Sequence, residues 1–327
     1  MLQLIASNTK RRLALLTTRL LQGWLNPRIR WIYLLPILAV HLLALCALFP
    51  YAFSWTGVAV AFLGVHVFGQ GINLCYHRGL THRSFHMAPW LERCFVILAV
   101  CCMQDTPAQW VAHHRRHHQH SDDVDDPHSP NRGGFWAHMG WLFVKNPSTH
   151  SLAALFGYSR DILEDPFYFW LERRGNWIWI FVAHVLLFFM AGFAIGGWTA
   201  DDGLAAGLQF GTSLVVWGVL VRTVVVWHIT WSVNSLSHLW GYRNYATSDD
   251  SRNNWLVALL TVGEGWHNNH HHDPTCATTR HQWWELDITY LELRLLERLG
   301  LVSDIVPRLE QRQRQHRARP NIEKSAA

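Results

Sequence analysis

Four apolar stretches, Trp31 to Phe49, Thr56 to Leu74, Trp177 to Trp198 and Leu204 to Val226, constrain what this chain can fold into more than any other feature. Each approaches the roughly 20 helical residues that cross the hydrocarbon core of a bilayer. Lipid offers the backbone no hydrogen-bond partner, so each stretch is predicted to be a helix closed on itself. A fifth run, Leu91 to Met103, is too short to span and is expected to lie in the interface or dip into the protein. Composition agrees: half of the 327 residues are hydrophobic, 16% are charged, and 19 are Trp. The predicted fold is all-α and integral to a membrane, with four transmembrane helices and a cytoplasmic helical cap.

The connectors set the orientation. Pro50 to Trp55 and Thr199 to Gly203 carry no Lys or Arg, whereas the N-terminus, the long middle segment and the C-terminal third are rich in them. The positive-inside rule then puts both ends and the middle in the cytoplasm. Residues 1–30, with Lys10, Arg11, Arg12, Arg19, Arg28 and Arg30, are expected to be a retained cytoplasmic segment. Residues 31–302 form the main domain, and 303–327 a polar tail, frayed from Arg308 and bearing Arg312, Arg314, Arg317 and Arg319. The net charge of +5 gathers at the two ends rather than in one run, which argues against nucleic acid as a partner. Cys46, Cys75, Cys94, Cys101, Cys102 and Cys276 show no paired spacing and are read as small hydrophobes.

The 22 histidines are unusual in number and in spacing. Four motifs stand out: His77-Arg-Gly-Leu-Thr-His82, His114-Arg-Arg-His117-His118, Asn234-Ser-Leu-Ser-His238 and His267-Asn-Asn-His270-His271. In the second and fourth, positions i, i+3 and i+4 share a helix face, so three imidazoles are expected to point at one place. His77 and His82 are five apart, which predicts a helix end or bend between them. Nine histidines and an asparagine exceed what one tetrahedral site uses, so two metals are implied. Imidazole alone does not choose among zinc, copper, iron and nickel. His41, His66 and His184, inside apolar spans, are read as packed or helix-contact residues. His113, His120, His128, His138 and His272 border the motifs and are expected beside the ligands or at the surface. Among the flanking acids Asp105, Asp122, Asp123, Asp125, Asp126, Glu264 and Asp273, a carboxylate that accepts the second ring N–H of a ligating histidine would fix its tautomer. Glu264 is favoured because it lies one turn before His267, and Asp126 is taken with it.

At these motifs the chain resembles the membrane fatty-acid desaturases, in the branch of the stearoyl-CoA and cyanobacterial delta-9 acyl desaturases. HRGLTHRSF, HRRHHQHSDDVDDPH, NSLSHLWGYR and GEGWHNNHH follow that family's boxes in order and spacing, over roughly His66 to His272. The resemblance implies two iron ions held by His77, His82, His114, His117, His118, His238, His267, His270 and His271, with Asn234 acting through a water and no catalytic residue beyond the metal centre. It implies dioxygen as co-substrate and a cis double bond, at the delta-9 position, in a saturated fatty acyl chain. Zinc has no redox chemistry and would not serve such a reaction. A kinked acyl tunnel is implied at Gln104, Trp110 and Thr230, with Trp231 beside them and Ala61 and Val65 setting its depth. Two electrons are expected from a separate ferredoxin-like or cytochrome donor with its reductase. The expected place is a bacterial inner membrane, crossed several times, with active site and termini cytoplasmic. Acyl-CoA members carry an Arg-Asp pair before the second box and a basic pair further on. Here Ala112-His113 and a single Lys145 stand in those places, so acyl-CoA and a phospholipid acyl chain both stay open as carriers. A di-iron hydroxylase and a membrane metal transporter or sensor are the alternative functions.

Overall fold

A computed structural model describes residues 29–318, so the basic segment expected over 1–30 falls almost wholly outside the described residues, as does Arg319. Among the described residues four helices are long and apolar enough to cross a membrane: Trp31–Leu48, Trp55–Thr81, Pro166–Thr199 and Gly203–Leu239. Helix α1 (Trp31–Ala44) forms the first, and α2 (Trp55–Gln70), capped by the Ser54 hydroxyl on Gly57 N, begins the second. In the cap, α3 (Pro89–Val100), α4 (Pro107–His120) and α5 (Leu152–Leu163) follow. Helix α6 (Asn176–Thr199) is the main part of the third span, and α7 (Gly203–Val215) with α8 (Arg222–Leu239) makes the fourth. Helices α9 (His267–His272) and α10 (Ile288–Arg298) close the cap, where β1 (His86–Met87) pairs antiparallel with β2 (Val302–Ser303).

Large apolar side chains point outward along the spans, Phe62 at 78% and Trp198 at 90% exposure, as lipid-facing residues should. Packing between α6 and α7 relies on missing side chains: a Cβ at Gly192 would lie 2.8 Å from Gly211 Cα, and one at Gly196 2.6 Å from Ala206 O. Small residues let two membrane helices approach this closely, and dispersion then holds them together.

Two spans run past their expected ends, to Thr81 instead of Leu74 and to Leu239 instead of Val226. Hydropathy marks where a helix meets lipid, but a helix continues for as long as its polar groups find partners in the protein. Both extensions reach the cap, so the histidines after the second and fourth spans share one side of the molecule with the middle segment. The tail departs from expectation too. Leu309–Ala318 is helical, and Asp273 accepts from Leu309 N and pairs with Arg312. The Arg-rich composition concealed this partner, because the acid that anchors the segment lies far away in sequence.

Candidate metal centre

The nine motif histidines converge from α2 and its extension, α4, α8 and α9. His77, His82, His114, His118 and His270 form one group, and His117, His238, His267 and His271 a second, each with its ligand atoms within 4.8 Å of one another. In the first, Nε2–Nε2 separations are 3.1 Å for His77–His270, 3.2 Å for His82–His114 and 3.0 Å for His118–His270. In the second they are 3.3 Å for His117–His271 and 3.0 Å for His267–His271.

This corrects the expectation that each HxxHH triplet aims at one place. His114 and His118, a full turn apart, serve the first group while His117 between them turns to the second. The fourth motif does the reverse, with His267 and His271 in the second group and His270 in the first. Successive helical residues diverge by about 100°, so the i+3 ring leans away from the i, i+4 pair toward the neighbouring site.

The five-residue step in the first motif has its own explanation. Gly71–Thr81 winds as a π-helix, and His82 N donates to His77 O at 3.2 Å, an i to i+5 bond. The wider coil brings His77 and His82 near each other, with ring centroids 4.9 Å apart. A helix end or bend was expected between the two rings; the coil instead runs unbroken through Thr81 and ends only at His82, and the wider winding that brings the rings together had no signal in the pattern.

Four rings are backed by carboxylates. Glu264 Oε2 lies 2.7 Å from His77 Nδ1, Asp126 Oδ2 2.9 Å from His117 Nδ1, Asp122 Oδ2 3.0 Å from His238 Nδ1 and Asp249 Oδ2 2.7 Å from His271 Nδ1. Asp249 was absent from the acids singled out in the sequence, since it lies 22 positions before the ring it meets. Arg78, inside the first motif, was also missed. It is 1% exposed and joins Glu264 (2.6 Å) to Asp287 (3.0 Å), the residue that caps α10.

Burial holds His82, His114, His118, His267 and His270 well below the usual imidazole range, so these rings are neutral and offer lone pairs. Burial pushes His271 down and Asp249 pulls it back up, leaving it at about 4. For His117 burial is outweighed by Asp126, and the ring is raised, the mark of a place that favours positive charge. Burial would raise Glu264, but Arg78 and His77 hold its carboxyl down at about 2.

The donor set suits cations. His117 and His271 turn their Nδ1 atoms to Asp126 and Asp249 and face each other through Nε2 at 3.3 Å. A cation between them would displace the His117 proton and take a lone pair from each ring. His238 turns Nδ1 to Asp122, and its Nε2 is buried without a hydrogen-bond partner, an orphan that a metal ion would satisfy.

Comparison with known proteins identifies the framework. The fatty acid desaturase family profile matches residues 53–297, which include all nine rings. The chain belongs to the fatty acid desaturase family. It is similar to the sn-1 stearoyl-lipid 9-desaturase of Anabaena variabilis, with 41% identity over 86% of this chain and 95% of that protein. The corresponding figures for the sn-1 stearoyl-lipid 9-desaturase of Synechocystis sp. are 42%, 84% and 80%. For the acyl-CoA C20 Delta5-desaturase of Anemone leveillei they are 38%, 80% and 77%. The protein is therefore an oxidoreductase of the acyl desaturase type and a membrane protein.

The residues expected to line the desaturase tunnel fall in two places. Trp110 stacks on His114 with centroids 4.9 Å apart, against the first histidine group. Gln104 Nε2 donates to Thr230 Oγ1 at 3.0 Å, and Trp231, 5% exposed, stacks on Trp227. Ala61 is buried and Val65 half-buried in the second span. Asn234 is half-buried one turn before His238. The span histidines lie apart from both groups: His184 sits among Phe68, Phe181 and Phe188, His66 meets Glu292 at 2.5 Å, and His41 meets His228 at 3.0 Å.

Proposed function

We propose that this desaturase introduces a cis double bond at the delta-9 position of a saturated chain esterified in a membrane lipid, using two iron ions. The observation that carries the reading is the division of nine imidazoles into groups of five and four, with acids behind His77, His117, His238 and His271. His77, His82, His114, His118 and His270 hold one ion. His117, His238, His267 and His271 hold the other, and Asn234 adds a water. Redox-inert zinc would not serve the reaction, which favours iron among metals that imidazole binds.

The chemistry such a pair supplies is reductive activation of dioxygen: with two electrons and two protons from outside, two hydrogens leave adjacent carbons and both oxygen atoms end as water. The residues of the chain do the rest. Asp126, Asp122 and Asp249 accept from the Nδ1 side of His117, His238 and His271, and the Glu264 carboxylate lies against His77 Nδ1, so that the Nε2 lone pairs face inward. Trp110, Gln104, Thr230 and Trp231 line the bend that presents one carbon–carbon bond, and a rigid wall limits the reaction to that bond. Ala61 and Val65 set the depth of the channel. The electrons come from a ferredoxin-like or cytochrome donor with its reductase, docking on the cytoplasmic face of an inner membrane that the chain crosses four times.

The relatives named as stearoyl-lipid 9-desaturases support both the position and the carrier. Ala112-His113, in place of the Arg-Asp pair of acyl-CoA members, also favours a lipid carrier. Expression in a host lacking the activity, with mass spectrometry of lipid-bound and thioester-bound chains, tests the reading. A new delta-9 bond first seen in intact lipids is expected; first appearance in the thioester pool would reassign the carrier, and a hydroxylated product the reaction.

A further inference from the structure

The turn between α3 and α4 is strained and anchored out of proportion to its length. Met103 and Asp105 both adopt left-handed backbone, with φ of 52° and 66°. Residues with side chains avoid this region, and it persists only where the surroundings over-determine it. Gln104, the residue with an amide toward Thr230, sits between the two.

What over-determines the turn is one face of α8. Arg222 Nη2 donates to Cys101 O at 3.1 Å, and Trp227 Nε1 donates to Cys102 O at 2.7 Å. Gln104 Nε2 in turn reaches Thr230 Oγ1 at 3.0 Å. From the other side, Tyr33 OH bonds the Asp105 carboxylate, and Tyr76 OH donates to Asp105 O at 3.4 Å.

Arg222 is the unusual member. It is 0% exposed, and none of its hydrogen bonds or ion pairs among the described residues goes to a carboxylate. Its guanidinium lies 3.9 Å over the Phe68 ring and bonds the carbonyls of Gly218 and Cys101 and the sulfur of Cys102. Cys101 and Cys102 directly follow the last residues of α3, where helix carbonyls have no partner within the helix and the dipole is negative. The end of α3 thus takes the place of a counter-ion. A buried cation of this kind ties the helix end to α8 at one height, because sliding either element would leave charge and carbonyls unpaired.

We infer that Arg222 and Trp227 are positioning residues for regiospecificity: by clamping the Cys101–Asp105 turn to α8 they fix Gln104 along the acyl channel and so choose which bond is oxidised. The inference rests on the reading above that Gln104 lines that channel. Neither side chain belongs to either histidine group, so loosening the clamp should leave metal binding in place while the bend shifts relative to the metals.

The test uses the full-length protein in membranes and compares Trp227→Phe, which keeps the ring and loses one donor, and Arg222→Lys, which keeps the charge and loses the fork, with Gln104→Leu. Bound iron is measured for each, and the double bond is located by fragmentation mass spectrometry. Expected is full metal content with the product spread from one position to neighbouring ones in Trp227→Phe and Arg222→Lys, as in Gln104→Leu. A purely structural role would lower yield and leave the position unchanged. An unchanged single position in both clamp variants, with a spread in Gln104→Leu, overturns the clamp and leaves the channel reading standing. No spread in any of the three removes Gln104 from the channel and the inference with it. Should Arg222→Lys lose metal, Trp227→Phe decides alone.

Discussion

Four of the nine rings in the paired site are aimed by a carboxylate that lies outside their own motif. Glu264 meets His77 and Arg78 together, and Arg78 carries the restraint on to Asp287 at the start of α10. Glu264→Gln keeps the shape but loses the charge, so metal content should fall. Loss of such a partner weakens metal binding or activity by about 10–100-fold. Metal analysis of the purified variant beside product yield checks this, and unchanged metal content would assign Glu264 to Arg78 alone. Ala61 is buried in the second span. If it borders the far end of the channel, Ala61→Trp should shift the preferred acyl chain to shorter lengths, read from the product profile of cells given mixed saturated chains. The histidines were legible because nine rings in fixed spacings exceed any packing need. Asp249 and Arg78 were not legible: a carboxylate or guanidinium gains meaning only from what it faces.

Among the elements, the π-helical extension of α2 has the largest effect on the site. It sets the relation of His77 to His82, and its first residue, Gly71, packs directly against the backbone of α3. A Cβ there would lie 2.4 Å from Ala99 N and 2.7 Å from Phe95 O, both backbone atoms that cannot rotate away. Gly71→Leu should force α2 and α3 apart at a cost of about 1–3 kcal/mol. The measurement is the thermal midpoint in detergent, expected to fall with loss of desaturation; a stable, active variant would show that the crossing yields. Periodicity predicted helices in the right places yet not their winding, because hydrophobic pattern reports which side of a coil is wet or dry and says little about whether its bonds close at four residues or five.

For the molecule as a whole, the paired site is a staple. Its rings come from two spans and from two cap helices that follow them at long range in sequence, so any ion bound there joins parts that the connectors leave free to separate. A ligand that binds only the folded form stabilises it by about 2.7 kcal/mol at 100 times its dissociation constant. Removing metal with a chelator under reducing conditions should therefore lower the unfolding temperature, and returning the metal should restore it. A midpoint indifferent to metal would mean that the cap is held by packing and by the Arg78 network alone. The C-terminal segment adds a smaller tie, since Arg312 and Leu309 both reach Asp273.

The sequence by itself determined that this chain is helical, lies in a membrane and gathers histidines on one side. Those properties follow from hydrophobic length and from residue type at helical spacing, which are local quantities. Tertiary structure alone decided how nine rings divide into five and four, which acid stands behind which ring, and why Arg222 can be buried without one. Each of these depends on the angle and height at which distant elements meet, and no single segment encodes that geometry.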